Sequence, residues 1–148
     1  MNDSAGSGRY GVLVLEGDGE EAARMSQTLS ASFDVLVSGS AQEAIEILRG
    51  APVHVICAGY PVPGMDSVKF LQRTLAVAEP PCLLFITSAA ELKDKKLEGL
   101  SGAIARPYDP KTLVDRVSRL CQVTETRRRV ASAQRSILRH QKDRSQTE

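Results

Sequence analysis

The side chains of this sequence that could do chemistry lie just beyond its apolar runs. Glu16, Gly17 and Asp18 follow Val12–Leu15; Thr87 and Ser88 follow the run Cys82–Ile86; Arg106 follows Ala103–Ala105. Carboxylates so placed could hold a cation. A guanidinium could receive an anion, or pair with Glu16 or Asp18 across a cleft. The run beginning at Val53 ends differently, on Gly59, and Pro61, Pro63 and Gly64 follow. In an open α/β sheet, ligands and chemistry gather at the carboxyl ends of the strands. At its central position this chain offers a glycine with no functional group, and that absence is its main functional message.

Other chemistries find little support. No GxxxxGK[ST] loop and no GxGxxG after a strand is present, and Glu16 and Asp18 beside Gly17 and Gly19 would repel a phosphate. The two histidines, His54 and His140, have no second ligand nearby and complete no Ser/His/acid set. Three widely spaced cysteines, Cys57, Cys82 and Cys121, do not make a disulfide framework. Cys57 and Cys82 read as small buried hydrophobes. No catalytic residue, metal or cofactor is expected.

The elements that must position these residues alternate. Continuous apolar strands are expected at Val12–Leu15, Phe33–Val37, Val53–Ala58 and Cys82–Ile86, with a weak fifth at Ala103–Ala105. Helices are expected from Glu20 to Ala31, from Ser40 with Glu43 completing a capping box, from Ser67 to Val77 with Asp66 as cap, from Ala90 to Leu97, and from Asp109–Pro110 onward. In the last of these, Leu113, Val117 and Leu120 form the inner stripe. Five βα repeats predict a doubly wound, five-stranded parallel sheet in the order 2-1-3-4-5, of the flavodoxin-like class, with an extended C-terminal helix.

The residues that carry a family resemblance are Pro63–Asp66 (PGMD), Thr87 after the fourth strand, and the basic-Pro-aromatic-Asp-Pro run from Arg106 to Pro110. With their spacing, they make residues 10–121 resemble the CheY-like receiver domain of two-component response regulators. The resemblance implies two acids after the first strand and an aspartate after the third, which together bind magnesium; the aspartate takes phosphate from a histidine kinase. Those positions fall on Glu16 and Gly17, with Asp18 beside them, and on Gly59. The phosphoryl-sensing lysine corresponds to Arg106, the rotating aromatic to Ala103, and the small residue beside Thr87 to Ser88. Gly59 cannot form an acyl phosphate. The expectation is a degenerate pseudo-receiver that works without phosphorylation.

The resemblance also implies an interaction face on the fourth helix, fifth strand and fifth helix, here Leu92, Lys95, Lys96, Ala103, Tyr108 and Lys111, with Tyr108 as its aromatic anchor. A signalling protein or a covalently linked output domain is the expected partner. A homodimer would use that face or the C-terminal helix. Residues 1–9 read as a flexible tail and residues 122–148 as a basic helical extension or linker. Val123, Val130 and Ile137 recur there every seven residues, and no Gly or Pro occurs from 111 to 148. Residues 1–121 carry a net charge of −3 and residues 122–148 a net of +4.

Two alternatives compete with the interaction module. A small-molecule sensor would use space opened by Gly59 beside Thr87, Ser88 and Arg106. Nucleic-acid contact would use Arg127, Arg128, Arg129, Arg135, Arg139, Lys142 and Arg144, though no aromatic residue or helix-turn-helix accompanies them. No apolar run reaches the length of a membrane span and no signal peptide is evident, so the expected location is the cytoplasm.

Overall fold

The computed structural model describes residues 8–88 and 102–146. Five strands, β1 (Gly11–Leu15), β2 (Asp34–Ser38), β3 (Val55–Gly59), β4 (Cys82–Ser88) and β5 (Ala103–Arg106), form one sheet in the order β2-β1-β3-β4-β5. Every neighbouring pair is parallel. Among the described residues the helices are α1 (Gly19–Ser30), α2 (Ala41–Gly50), α3 (Ser67–Leu75) and α4 (Pro110–Gln146). The expected helix at Ala90–Leu97, with Leu92, Lys95 and Lys96, lies outside the described residues.

The continuous apolar strands are explained by two cores, one on each face of the sheet. Val12, Val14, Val55, Cys57, Leu84 and Ile86 point towards Met25 and Leu29 of α1 and Leu113, Val117 and Cys121 of α4. Leu13, Leu15, Ile56, Ala58, Leu83 and Phe85 point towards Ala44 and Ile45 of α2 and Phe70 of α3. Alternate residues of β1, β3 and β4 are thus buried on opposite sides, and no position is left for a polar face there. β2 is an edge strand, and its Leu36 and Val37 are exposed.

The caps depart from expectation in detail. Asp18 is the N-cap of α1, its carboxylate accepting from the N–H groups of Glu20 and Glu21. Asp66 caps α3 through Lys69 N–H at 3.1 Å. Ser40 accepts from Glu43 N–H at 3.3 Å, as one half of a capping box would. The other half is replaced: Ser40 N–H donates to Ser38 Oγ at 3.3 Å instead of to the Glu43 carboxylate. Gly64 holds a φ of +85°, which explains the glycine of the PGMD turn.

α4 is one continuous helix of 37 residues. Its buried stripe is Leu113, Val117, Cys121 and Thr124; Leu120, expected on that stripe, is only partly buried at its margin. The 3.6-residue repeat selects 113, 117, 121 and 124, which rotates 120 off the centre. Beyond Arg129 the apolar packing ends: Val130, Ile137 and Leu138 are exposed, and Arg135 Nη2 reaches Glu79 Oε1 of the body at 3.7 Å.

Candidate functional site

Parallel register brings the sequence-predicted site residues to one edge of the sheet. Leu15 pairs with Ala58 and Ser88 with Arg106, so Glu16, Gly59, Thr87–Ser88 and Arg106 gather where β1, β3, β4 and β5 end. Thr87 is buried and Ser88 exposed. Gly17 lies under Pro63, whose Cβ is 3.4 Å from where a Gly17 side chain would begin.

Glu16 and Arg106 form the centre. Arg106 Nη2 donates to Glu16 Oε1 at 2.7 Å, tying the end of β5 to the end of β1. The Glu16 side chain is only 13% exposed and that of Arg106 35%. Glu16 Oε2 accepts from Asp18 N–H at 3.1 Å, so both carboxylate oxygens are engaged. Arg106 Nε lies 3.5 Å from Glu21 Oε1, a charge contact longer than a good hydrogen bond. The guanidinium therefore sits between two carboxylates from β1 and α1. Of the two partners expected for Arg106, Glu16 takes the role; the Asp18 carboxylate is turned to the N-terminus of α1.

Gly59 does not open a vacant cleft. A Cβ built on it would meet Glu16 Oε1 at 2.6 Å. The Glu16 carboxylate fills the space that a side chain at 59 would need, which corrects the expectation of free room beside Arg106. A side chain at position 59 would require the Glu16 carboxylate to move. Glu21, the second acid against Arg106, was legible only as a charge suited to a helix N-terminus. A residue one helical turn beyond Asp18 could have been suspected, but nothing in the spacing aimed it at β5.

The residues expected on an interaction face divide between the two sides of the sheet. Ala103 packs against the α2–α3 core and Tyr108 against the α1–α4 core, while Lys111 is exposed. Tyr108 borders a groove with Glu21, Arg24 and Arg106, and burial, followed by the charge of Glu21, pushes its hydroxyl pKa up. Two buried thiols are also held against ionisation: burial raises Cys57, and Cys121 is pushed up to about 12 by burial and then by nearby Cys82. Among the described residues no group of three or more His, Cys, Asp or Glu side chains could hold a metal ion. No helix among them is long and apolar enough to cross a membrane.

Solved structures with the same architecture include the signal receiver domain of a putative LuxO repressor protein from Vibrio parahaemolyticus. It has a TM-score of 0.69 at 17% identity and covers 82% of this chain and 97% of that domain. The fold is that of a response-regulator receiver. Full-length FixJ from B. japonicum shares this receiver fold at a TM-score of 0.70 and 20% identity, over 78% of this chain and 59% of that one. In sequence, the chain is similar to the hydrogenase transcriptional regulatory protein HoxA of Bradyrhizobium diazoefficiens, 27% identical over 127 residues. The match covers 82% of this chain and 26% of the relative. The receiver-fold chain spans about a quarter of the length of the curated relatives it matches. No family profile matches it.

Proposed function

We propose that this chain is a pseudo-receiver: a non-catalytic signalling module that acts through protein contact and does not accept phosphate. The observation that carries this reading is the Glu16 carboxylate lying over Gly59 and held by Arg106 at 2.7 Å. An acyl phosphate needs a carboxylate nucleophile at the end of β3, and position 59 has none. The magnesium that would assist transfer needs several oxygen ligands converging on one point. Here Glu16 is neutralised by a cation, Asp18 caps a helix, and residue 17 is glycine. The ion pair spans the sheet where a phosphoryl group would otherwise change the charge. It holds β1 and β5 in one arrangement and leaves no switchable group between them.

Similarity to transcriptional regulators about four times as long supports a linked output domain as the partner, reached through α4. The surface around Tyr108 and Lys111 is the proposed alternative docking surface. Nucleic-acid contact by the basic extension is disfavoured, because Arg127, Arg128, Arg129 and Arg135 contact groups within the chain.

The test is incubation with a small phosphodonor and Mg²⁺, read by intact mass and by amide spectra. No phosphoryl adduct and no Mg²⁺-dependent shift at residues 16, 59 or 106 is expected. A hydroxylamine-sensitive adduct, labile in both acid and base as an acyl phosphate is, within residues 8–88 would overturn the reading.

A further inference from the structure

α4 continues past the core onto the amino-terminal edge of the sheet, opposite the Glu16–Arg106 pair, and its attachment there is polar. The Thr124 hydroxyl donates to the His54 carbonyl at 2.7 Å and lies 3.3 Å from Cys82 N–H, which itself donates to His54 at 3.0 Å. Arg128 Nη2 donates to the carbonyls of Val53 at 2.7 Å and Glu79 at 2.8 Å. The helix thus grips two consecutive carbonyls, those of Val53 and His54, just before β3 begins.

The side chain of His54 is bound to the start of β1. Its Nδ1 accepts from Gly11 N–H at 3.1 Å, and its backbone N–H donates to the Gly11 carbonyl at 2.8 Å. Its ring stands edge-on to Tyr10 with centroids 5.0 Å apart. An acceptor at Nδ1 requires the neutral ring, with its proton on Nε2. Protonation would set two N–H groups against each other and place a second cation beside Arg128. Glu125 is the facing acid, but it is already paired with Arg129 and lies beside the Tyr10 hydroxyl. From β4, Cys82 contributes its N–H and its thiol, which lies 3.8 Å from Arg127 Nη1.

We propose that His54, Thr124 and Arg128 form a releasable clasp between the receiver-fold body and the distal half of α4, opened by protonation of the His54 ring. The charged ring must leave Gly11, and in moving it shifts the Val53–His54 segment whose carbonyls hold the helix. The distal helix then loses its anchor while the Leu113–Val117–Cys121 stripe remains packed. This device is independent of whether the opposite edge of the sheet takes phosphate.

The direction of the pH effect follows from the linkage. Burial, and then Arg128, lowers the His54 pKa below its ordinary 6.5. The released state therefore binds the proton more tightly than the clasped state. The clasp is at full strength above 6.5 and weakens as the pH falls below it, levelling off once His54 is charged in both states.

Hydrogen exchange of the 148-residue chain tests this, with amide rates corrected for the intrinsic effect of pH. Between pH 7.5 and 5, protection of residues 124–131 should fall by up to about tenfold per pH unit, the limit for one proton. Residues 55–58 and 83–86 should keep their protection. His54→Asn keeps an acceptor towards Gly11 but cannot charge, and should abolish the dependence. Thr124→Val should lower protection at both pH values. The midpoint of the wild-type change should coincide with titration of the His54 ring, followed by NMR, and not with that of exposed His140. Unchanged wild-type protection, a midpoint that follows His140, or a His54→Asn variant with wild-type pH dependence would overturn the proposal.

Discussion

At the scale of single residues, Glu16, Gly59 and Arg106 act as one unit. Gly59→Asp supplies the missing carboxylate, but its Cβ begins 2.6 Å from Glu16 Oε1. Glu16 must swing away, which breaks its bond to Arg106 and leaves two carboxylates competing for one guanidinium. The expected cost at neutral pH is about 1–3 kcal/mol, from lost charge-assisted hydrogen bonding and like-charge crowding. Crowding raises the folded-state pKa of the pair. The cost should therefore shrink as the pH falls through the raised values towards the ordinary carboxylate range near 4. Adding Glu16→Ala frees Arg106 to pair with Asp at 59 and should recover most of the loss, a non-additivity read from denaturant melts of both single variants and the double. Equal costs for the single Gly59→Asp variant and the double variant would show that Glu16 does not hold the space.

At the scale of elements, α4 joins two segments with different duties. Leu113 is fully buried against the sheet, whereas Ile137 is 57% exposed. Leu113→Ala should cost about 2–5 kcal/mol through lost burial and the cavity left behind. Ile137→Ala should change stability by less than about 0.5 kcal/mol. Thermal unfolding of both variants checks this, and a large loss at Ile137 would mean that the distal helix packs on the body. β1, β3 and β4 were legible because nearly unbroken apolar runs leave no polar face; the strand order followed from short connections and the buried first strand. The helix starts at Asp66 and Asp109–Pro110 were legible from capping chemistry. The two contacts that matter most were not. That Glu16 turns over Gly59, and that Thr124 and Arg128 reach carbonyls before β3, depends on where elements meet in space. A hydroxyl and an arginine on a polar helix carry no local mark of that destination. The sequence reading accordingly treated 122–148 as an extension, although Thr124 is buried as deeply as Val117.

At the scale of the whole molecule, charge and exposed apolar surface determine how two copies would meet. Val123, Val130 and Ile137 repeat with a seven-residue period and are 36%, 52% and 57% exposed. A seam of that period suits a second helix, but it spans only two heptads, fewer than the three or four that mark a persistent coiled coil. Between Arg127 and Lys142 the helix carries six basic residues and no acid, so two such helices repel each other side by side. Weak self-association that strengthens with salt is therefore expected, since screening removes the repulsion and leaves the apolar contact. Sedimentation over a range of protein concentrations should show a monomer at low micromolar levels. At higher concentration the average mass should rise, more so in 0.5 M than in 0.05 M salt (about 4 and 14 Å of screening length). Ile137→Asp should abolish the rise without changing the melting temperature. Association that weakens with salt, or that survives Ile137→Asp, would move the self-contact from the distal helix to the surface around Tyr108 and Lys111.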